Sequence, residues 1–176
     1  ECMNLYGGFD HNIQTIRIVT LIENKYYNFK GLNLTLETLD GLIKHNGSIK
    51  SPHLYNKILG KNFFKNKINF ERSPSIESQI ASISDDIAYN SHDLEDGLKS
   101  NLFQLNDLKN IPVLNKIIFK HKKKHKKYSI DLIIRQIIRD IINIMVSDVI
   151  KTTKNNLKKN NIKNLKDVYK FNEELV

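Results

Sequence analysis

The chain has 176 residues, of which 40% are hydrophobic, with seven glycines and three prolines. This composition excludes disordered and fibrous proteins and favours one helix-rich globular domain with a buried core. A single cysteine, Cys2, excludes an internal disulfide framework and indicates a reducing compartment. The net charge of +9 favours polyanionic partners.

Neither a membrane segment nor a signal peptide is predicted. No apolar run reaches the roughly 18 residues of a transmembrane helix. The first residues lack the basic-then-apolar order of a signal peptide. We therefore expect a cytoplasmic protein without a membrane partner. The chain does not begin with methionine, so we expect it to be a piece of a longer protein.

Helical patterns dominate the first half. Asp10 is the predicted N-cap of a helix that fades near Asn24, with its apolar face at Ile13, Ile16, Ile18, Val19 and Ile22. An ordered loop is expected at residues 26–31. A second helix is predicted from Leu34 to Lys44, with Thr35 or Asn33 as cap and Asn46-Gly47 as its end. Residues 48–72 show little periodicity and predict a partly irregular connection.

A third helix is predicted to start at Ser73-Pro74, with serine as N-cap and proline in the first turn. Its core-facing stripe is expected at Ile76, Ile80, Ile83 and Ile87. Leu98, Leu102 and Leu105 are expected to continue it past Gly97, and Ile111-Pro112 marks a boundary.

The same helix carries the acidic-aromatic face, which we define as Asp85, Tyr89 and Asp93. These residues recur every four positions, and His92 and Asp96 lie beside them. Like charges on one face repel, so a helix that keeps them favours a cation or a hydroxyl-bearing ligand. Carboxylates suit Mg²⁺ or Mn²⁺, and tyrosine offers a flat ring with a hydroxyl tip. The alternative is a solvated face with Tyr89 half-packed.

The second half is basic and then helical. Residues 120–127 form the basic block, which suits nucleic acid, anionic lipid or nucleotide phosphate, although a solvated loop explains it equally simply. A long helix is predicted from Ile130 to Lys158, and a short one from Leu165 to Tyr169. No alternating strand pattern occurs, so the predicted fold class is all-α.

Three further residues are candidates for chemistry. His11 follows Gly7-Gly8, where a backbone can approach a ligand closely, and its pKa range suits general acid work. Arg135 and Arg139 are four residues apart on one polar stripe and suit a phosphate. The simpler alternatives are that His11 has a structural role and that Arg135 and Arg139 lie on a solvent-exposed polar stripe.

Several ordered motifs resemble one protein family. They are residues 6–12 (YGGFDHN), 31–35 (GLNLT), 41–47 (GLIKHNG), 75–81 (SIESQIA) through 96–98 (DGL), and 138–148 (IRDIINIMVSD). Together they resemble bacterial deoxyguanosinetriphosphate triphosphohydrolase-like proteins of the HD-domain superfamily. The resemblance is close over residues 6–98 and looser over 130–150.

This resemblance implies a metal-dependent hydrolase that converts a dNTP, such as dGTP, into a deoxynucleoside and triphosphate. It implies that Asp85 is a ligand of a divalent metal, and that Tyr89 and Asp93 contact the deoxyribose. It places His11 near the phosphates and Arg139 near the substrate. It also implies an HD-domain-like helical bundle, a homo-oligomer, and single-stranded nucleic acid as a ligand of Lys120–Lys127.

The resemblance also implies an incomplete site. In the family, a first His and a His-Asp pair complete the metal ligands and lie before the Gly-Gly-Phe segment, where this chain begins. His92-Asp93 is a poor substitute, because its flanks match the helix of the later Asp. We expect residues 1–110 to form part of a catalytic core, 111–129 a basic connection and 130–176 a C-terminal helical part of one domain. The alternative is a split or decayed fragment that binds nucleotide or nucleic acid, or assists assembly, without catalysis.

Overall fold

A computed structural model describes the chain apart from Glu1, Gly7, Ser51, Lys61, Asn62, Lys65, Asn66, residues 123–126 and Asn172. Its α-helices are α1 (His11–Arg17), α2 (Leu36–Ile43), α3 (His53–Leu59), α4 (Ile76–Lys99), α5 (Pro112–Lys122), α6 (Ile130–Lys159) and α7 (Leu165–Phe171). No strand occurs among the described residues, so the all-α prediction is confirmed. Within the same residues, no helix is both long and apolar enough to cross a membrane.

The chain forms two compact units. The first contains residues 1–82 and 159–175, and the second contains residues 83–158 with Val176. The division falls inside α4 and near the end of α6. The predicted boundaries at 110 and 130 stay predictions, although the expected connection contains α5.

The first unit is built around α1, α2 and α3. Asp10 caps α1 as predicted, because its carboxylate accepts a hydrogen bond from the Ile13 amide at 2.9 Å. Thr35 caps α2 through the Thr38 amide. The core residues of this unit are Ile13, Ile16, Leu39, Ile43, Tyr55 and Ile68.

Two features of this unit go beyond the sequence expectations. The segment 48–72, predicted to be a partly irregular connection, also contains the helix α3, whose seven residues give only a weak apolar pattern. The apolar face of α1 is narrower than predicted, since Ile18 and Ile22 are exposed. Both lie in a π-helical turn, Ile18–Ile22. The wider winding of this turn shifts their side chains away from the buried face of α1 that holds Ile13 and Ile16.

The ends of α4 also differ from the prediction. The cap is Ser75 rather than Ser73, because the Ser75 hydroxyl accepts from the Ser78 amide at 3.3 Å. Ile80 is exposed, so the predicted isoleucine stripe is interrupted there. The helix passes Gly97 as expected but ends at Lys99, and Leu102 lies in an exposed turn.

In the second unit, α5 and α6 pack with the C-terminal part of α4. The core residues are Leu98, Ile117, Ile118, Ile133, Ile134, Ile137, Ile138 and Ile141. The predicted long helix is confirmed as α6, and its isoleucines between Ile133 and Ile141 face this core, whereas Ile130, Ile144 and Ile150 are exposed. Pro112 begins α5, where the missing amide hydrogen costs nothing.

The C-terminal segment belongs to the first unit. Val168 on α7 and Leu175 are almost completely buried. The Leu175 amide donates to the Gln79 side chain at 2.7 Å, and the Arg72 guanidinium lies 3.5 Å from the ring centre of Tyr169. The predicted short helix is therefore confirmed and completes the unit.

Candidate functional site

The acidic-aromatic face lies on the solvent side of α4. Asp85, Tyr89 and Asp93 are all exposed, and Tyr89 keeps 68% of its surface accessible. The opposite side is buried at residues 87, 91 and 98. Because successive helical turns place every fourth residue on one side, the three polar side chains line up along the rod. Tyr89 and Asp93 on this face are therefore accessible from the solvent.

This face does not form a metal site by itself. Among the described residues, no group of three or more His, Cys, Asp or Glu side chains is arranged to hold a metal ion. Divalent metal sites in proteins use several such ligands. Asp85 therefore fits a metal only as one ligand of a larger set.

His11 lies in the first unit, while the other predicted site residues lie in the second. It is the first residue of α1 and is exposed. The carbonyl of His11 accepts a hydrogen bond from the Thr15 hydroxyl at 2.9 Å. Gly8, three residues before, has φ +89°, a conformation that glycine adopts without strain. The histidine therefore begins α1 and is exposed to solvent.

Arg135 and Arg139 line one open groove on α6. Both side chains are exposed, and the groove has a volume of about 410 Å³. Its other lining residues are Ile138, Ile142, Asn143 and Val146. The structure therefore brings both predicted arginines to one surface.

Glu95 joins the charged groups of α4 and α6. Its carboxylate lies 2.5 Å from the Lys99 ammonium. The hydrogen bond from Lys99 is the main reason that the pKa of Glu95 falls below its usual value, and the charges of Arg135 and His92 add to it. The charge of Arg135 is therefore close enough to affect the pKa of Glu95, although the ion-pair partner of this carboxylate is Lys99. An i, i+4 spacing in the sequence was the available signal for the Glu95–Lys99 pair.

The basic block is anchored at its first residues. Lys120 and His121 lie on α5, and both contact the Asp140 carboxylate of α6, at 2.7 and 2.9 Å. These two contacts, that of Lys120 first, hold the pKa of Asp140 below its usual range. Residues 123–126 lie outside the described part, so the predicted nucleic-acid site on this block stays a prediction.

A buried polar cluster in the first unit was not foreseen. The Lys44 ammonium is completely buried and lies 2.7 Å from the Asp40 carboxylate, which also lies 3.9 Å from Arg72. Burial lowers the pKa of Lys44, against the pull of Asp40. The Ser78 hydroxyl donates to the Gly41 carbonyl at 2.9 Å and ties α4 to α2. The cluster thus fixes the segment that contains the GLIKHNG motif.

Comparison with known proteins identifies relatives of this chain. A deoxyguanosinetriphosphate triphosphohydrolase-like protein of Pelagibacter ubique (strain HTCC1062) is 58% identical over 122 residues, which cover 69% of the chain and 33% of that protein. Proteins of the same name match the whole chain and 45% of their own length in Bartonella henselae (strain Houston 1), with 40% identity, and in Rickettsia typhi (strain Wilmington), with 38%. No protein-family model matches. The chain thus spans between a third and a half of these relatives.

Proposed function

Since this chain is a relative of the deoxyguanosinetriphosphate triphosphohydrolase-like proteins and matches part of their length, we propose that it supplies part of a dNTP-hydrolysing site. The whole protein would split a dNTP into deoxynucleoside and triphosphate. The observation that carries this proposal is the acidic-aromatic face, which is exposed and aligned along α4.

The proposed role of this face is to distinguish deoxyribose from ribose. The Tyr89 ring would pack against C2′ of the deoxyribose, where a ribose has a hydroxyl. The Asp93 carboxylate would accept a hydrogen bond from the 3′-hydroxyl. A ring packed against C2′ rejects ribose, because the added hydroxyl would be buried without a partner. The face therefore favours a deoxynucleotide over a ribonucleotide.

The proposed chemistry is the attack of water on the α-phosphorus, which breaks the bond to the 5′-oxygen of the sugar. The departing 5′-oxygen needs a proton, and His11 is proposed to supply it as a general acid. Arg139 is proposed to stabilise the negative charge of the phosphates. Asp85 is proposed to contribute one ligand to a divalent metal, Mg²⁺ or Mn²⁺. The described residues do not form a complete metal site, so the other ligands of that ion would have to come from elsewhere.

The same observation favours a second candidate function for the chain by itself. With one metal ligand, it would bind a nucleotide without hydrolysing it. Incubation of the purified chain with dGTP and Mn²⁺ or Mg²⁺, followed by measurement of triphosphate, separates the two. Release well above that of a heat-unfolded sample would contradict binding without hydrolysis. Release at that background level would leave catalysis to the longer protein.

The proposed contacts of the acidic-aromatic face with the sugar can be tested by measuring nucleotide binding to the chain. Calorimetric titrations of the chain with dGTP and GTP should show about tenfold tighter binding of dGTP, corresponding to about 1.4 kcal/mol. Tyr89→Ala should remove this preference, and Asp93→Asn should weaken dGTP binding about threefold, since one hydrogen bond contributes roughly 0.5–1.5 kcal/mol.

Two matched variants serve as controls. Tyr128→Ala removes another exposed tyrosine of the second unit, and Asp86→Asn removes another exposed aspartate of α4. Both should bind dGTP and GTP like the unmodified chain. Equal affinity of the unmodified chain for dGTP and GTP would refute the proposed role of the acidic-aromatic face.

A further inference from the structure

A pocket of about 360 Å³ lies in the second unit, between the end of α4, the turn that follows it, α5 and the start of α6. Its floor consists of five almost completely buried apolar side chains: Leu98, Ile118, Ile133, Ile134 and Ile137. Phe103 and Leu105 are half-buried and form its walls. Pockets for small molecules are concave, mainly apolar and roughly 300–1,000 Å³ in volume. The size and the lining therefore fit a small organic ligand.

Three carboxamide side chains also line this pocket. Asn101, Gln104 and Asn106 are exposed, so they lie at its rim. Across the described part of the chain, no hydrogen bond uses their side-chain amides. Each carboxamide offers a donor and an acceptor side by side, which is the arrangement that pairs with N6 and N7 of adenine. The rim can therefore bind the polar edge of a heterocycle whose flat ring lies on the apolar floor.

Among the residues that the structure describes, those that line the pocket carry no charge. Four of them have a charged neighbour in the sequence, but these neighbours do not line the pocket; they are Lys99, Asp107, Asp131 and Arg135. A phosphate or a carboxylate would lose its water here without meeting a cation. Guanine is disfavoured as well, because its N7 and O6 acceptors match arginine or lysine. The pocket therefore favours an uncharged ring of the adenine type.

The turn that carries the rim is fixed by local contacts. Asn101, two residues after α4, has φ +59°, a left-handed conformation that asparagine tolerates. The Gln104 amide donates to the Asp107 carboxylate at 2.8 Å. Gly97 lets the Phe103 ring lie directly against α4, since a Cβ at Gly97 would overlap that ring. The rim and the aromatic wall are therefore held in place without a ligand, which limits the entropy that binding would lose.

This pocket is separate from the acidic-aromatic face. Leu98 follows Tyr89 by nine residues, or about two and a half helical turns, so the two residues lie on opposite sides of α4. We propose that the pocket binds adenine or its nucleoside without phosphates, with the ring on the isoleucine floor and the N6–N7 edge at the carboxamides. This ligand differs from the proposed dNTP substrate, and its site is on the other side of the helix.

The test is calorimetric titration of the purified chain at about 0.15 M salt, which screens its positive charge. Adenosine should bind with a Kd of about 0.1 mM. Inosine, which carries an oxygen in place of the N6 amino group, should bind about fivefold more weakly, since it loses one hydrogen bond. AMP should bind no more tightly than adenosine, whereas general attraction to a basic chain predicts the opposite order.

Variants connect the binding to this pocket. Gln104→Ala and Asn101→Gly each remove one rim carboxamide, and glycine also tolerates a positive φ, so each should weaken adenosine binding about fivefold. Ile134→Phe fills the floor and should weaken it at least about tenfold. Asn155→Ala and Ile144→Phe make the matched changes at exposed positions of α6 and should alter the affinity less than twofold. Should Ile134→Phe fail to fold, the two rim variants, which change only exposed side chains, still decide the question.

Four results would overturn the proposal. They are the absence of saturable adenosine binding, tighter binding of AMP than of adenosine, equal or tighter binding of inosine, and an equal loss of affinity in the control variants. Excess dGTP should not displace adenosine, and displacement would likewise contradict a separate site. Adenosine has a ribose and no phosphate, so its failure to bind would leave the dGTP and GTP comparison of the acidic-aromatic face unaffected.

Discussion

The buried pair of Asp40 and Lys44 makes a sharp prediction about stability. The Lys44 ammonium is fully buried, and its closest charge is the Asp40 carboxylate at 2.7 Å. The contact is an ion pair rather than a well-aligned hydrogen bond. Asp40→Asn would leave Lys44 and Arg72 as neighbouring cations without the carboxylate that both approach. Removing one partner of a buried pair costs roughly 3–5 kcal/mol.

The two partners should not be equivalent. Lys44→Met leaves the buried Asp40 carboxylate with a second cation, the partly exposed Arg72 guanidinium at 3.9 Å, so we expect a smaller cost of about 1–2 kcal/mol. The double variant Asp40→Asn/Lys44→Met has neither a buried ammonium nor a buried carboxylate. It should be within about 1–2 kcal/mol of the unmodified protein, because replacing a whole buried pair is often nearly neutral.

The assay is urea unfolding of the four proteins, followed by circular dichroism. The coupling energy from the double-mutant cycle should be at least about 2 kcal/mol. Raising the pH towards 10 should reduce the cost of Asp40→Asn, because Lys44, whose pKa burial already lowers, then loses its proton. Additive costs, or equal costs of the two single variants, would refute this reasoning.

Two further predictions concern the first unit. Gly31→Ala should cost about 2–4 kcal/mol, since Gly31 has φ +67° and a Cβ would clash with the Val19 carbonyl oxygen. Gly47→Ala, with φ +96° and open space, should cost clearly less in the same urea assay; equal costs would contradict the clash. Burial, then the charge of Asp10, raises the pKa of Tyr55 to about 12, so its contribution to stability is complete below pH 10 and is lost towards pH 12. Tyr55→Phe should flatten the fall in the free energy of unfolding between pH 10 and 12, and an unchanged slope would count against that shift.

Local chemistry explains which elements the sequence predicts well. Asp10 and Thr35 cap their helices through amides three residues away, so the signal and the structure lie in one short segment. The isoleucines between Ile133 and Ile141 recur at helical spacing and lie on the buried side of α6. Ile80 and Leu102 carry the same hydrophobic character, yet both are exposed. Their exposure depends on which surfaces other elements cover, and that information lies far away in the chain.

In the candidate site, too, the local sequence predicts some features, whereas others depend on distant segments. The spacing of Asp85, Tyr89 and Asp93 is enough to place them on one helix face, and the structure finds all three exposed. The spacing of Arg135 and Arg139 likewise places them in one row. The sequence does not reveal that Lys120 and His121 of α5 contact the Asp140 carboxylate of α6. Nor does it show that the Lys44 ammonium is completely buried.

The sequence by itself therefore determined the helical class, most helix starts, the family resemblance and the alignment of polar residues along α4 and α6. These follow from backbone hydrogen bonding and a period of about 3.6 residues, which act within one segment. Only the tertiary structure decided the division into two units, the burial of Asp40 and Lys44, and the groove beside Arg135 and Arg139. Burial and pairing of charges depend on distant segments, because a side chain loses its water only when another element covers it.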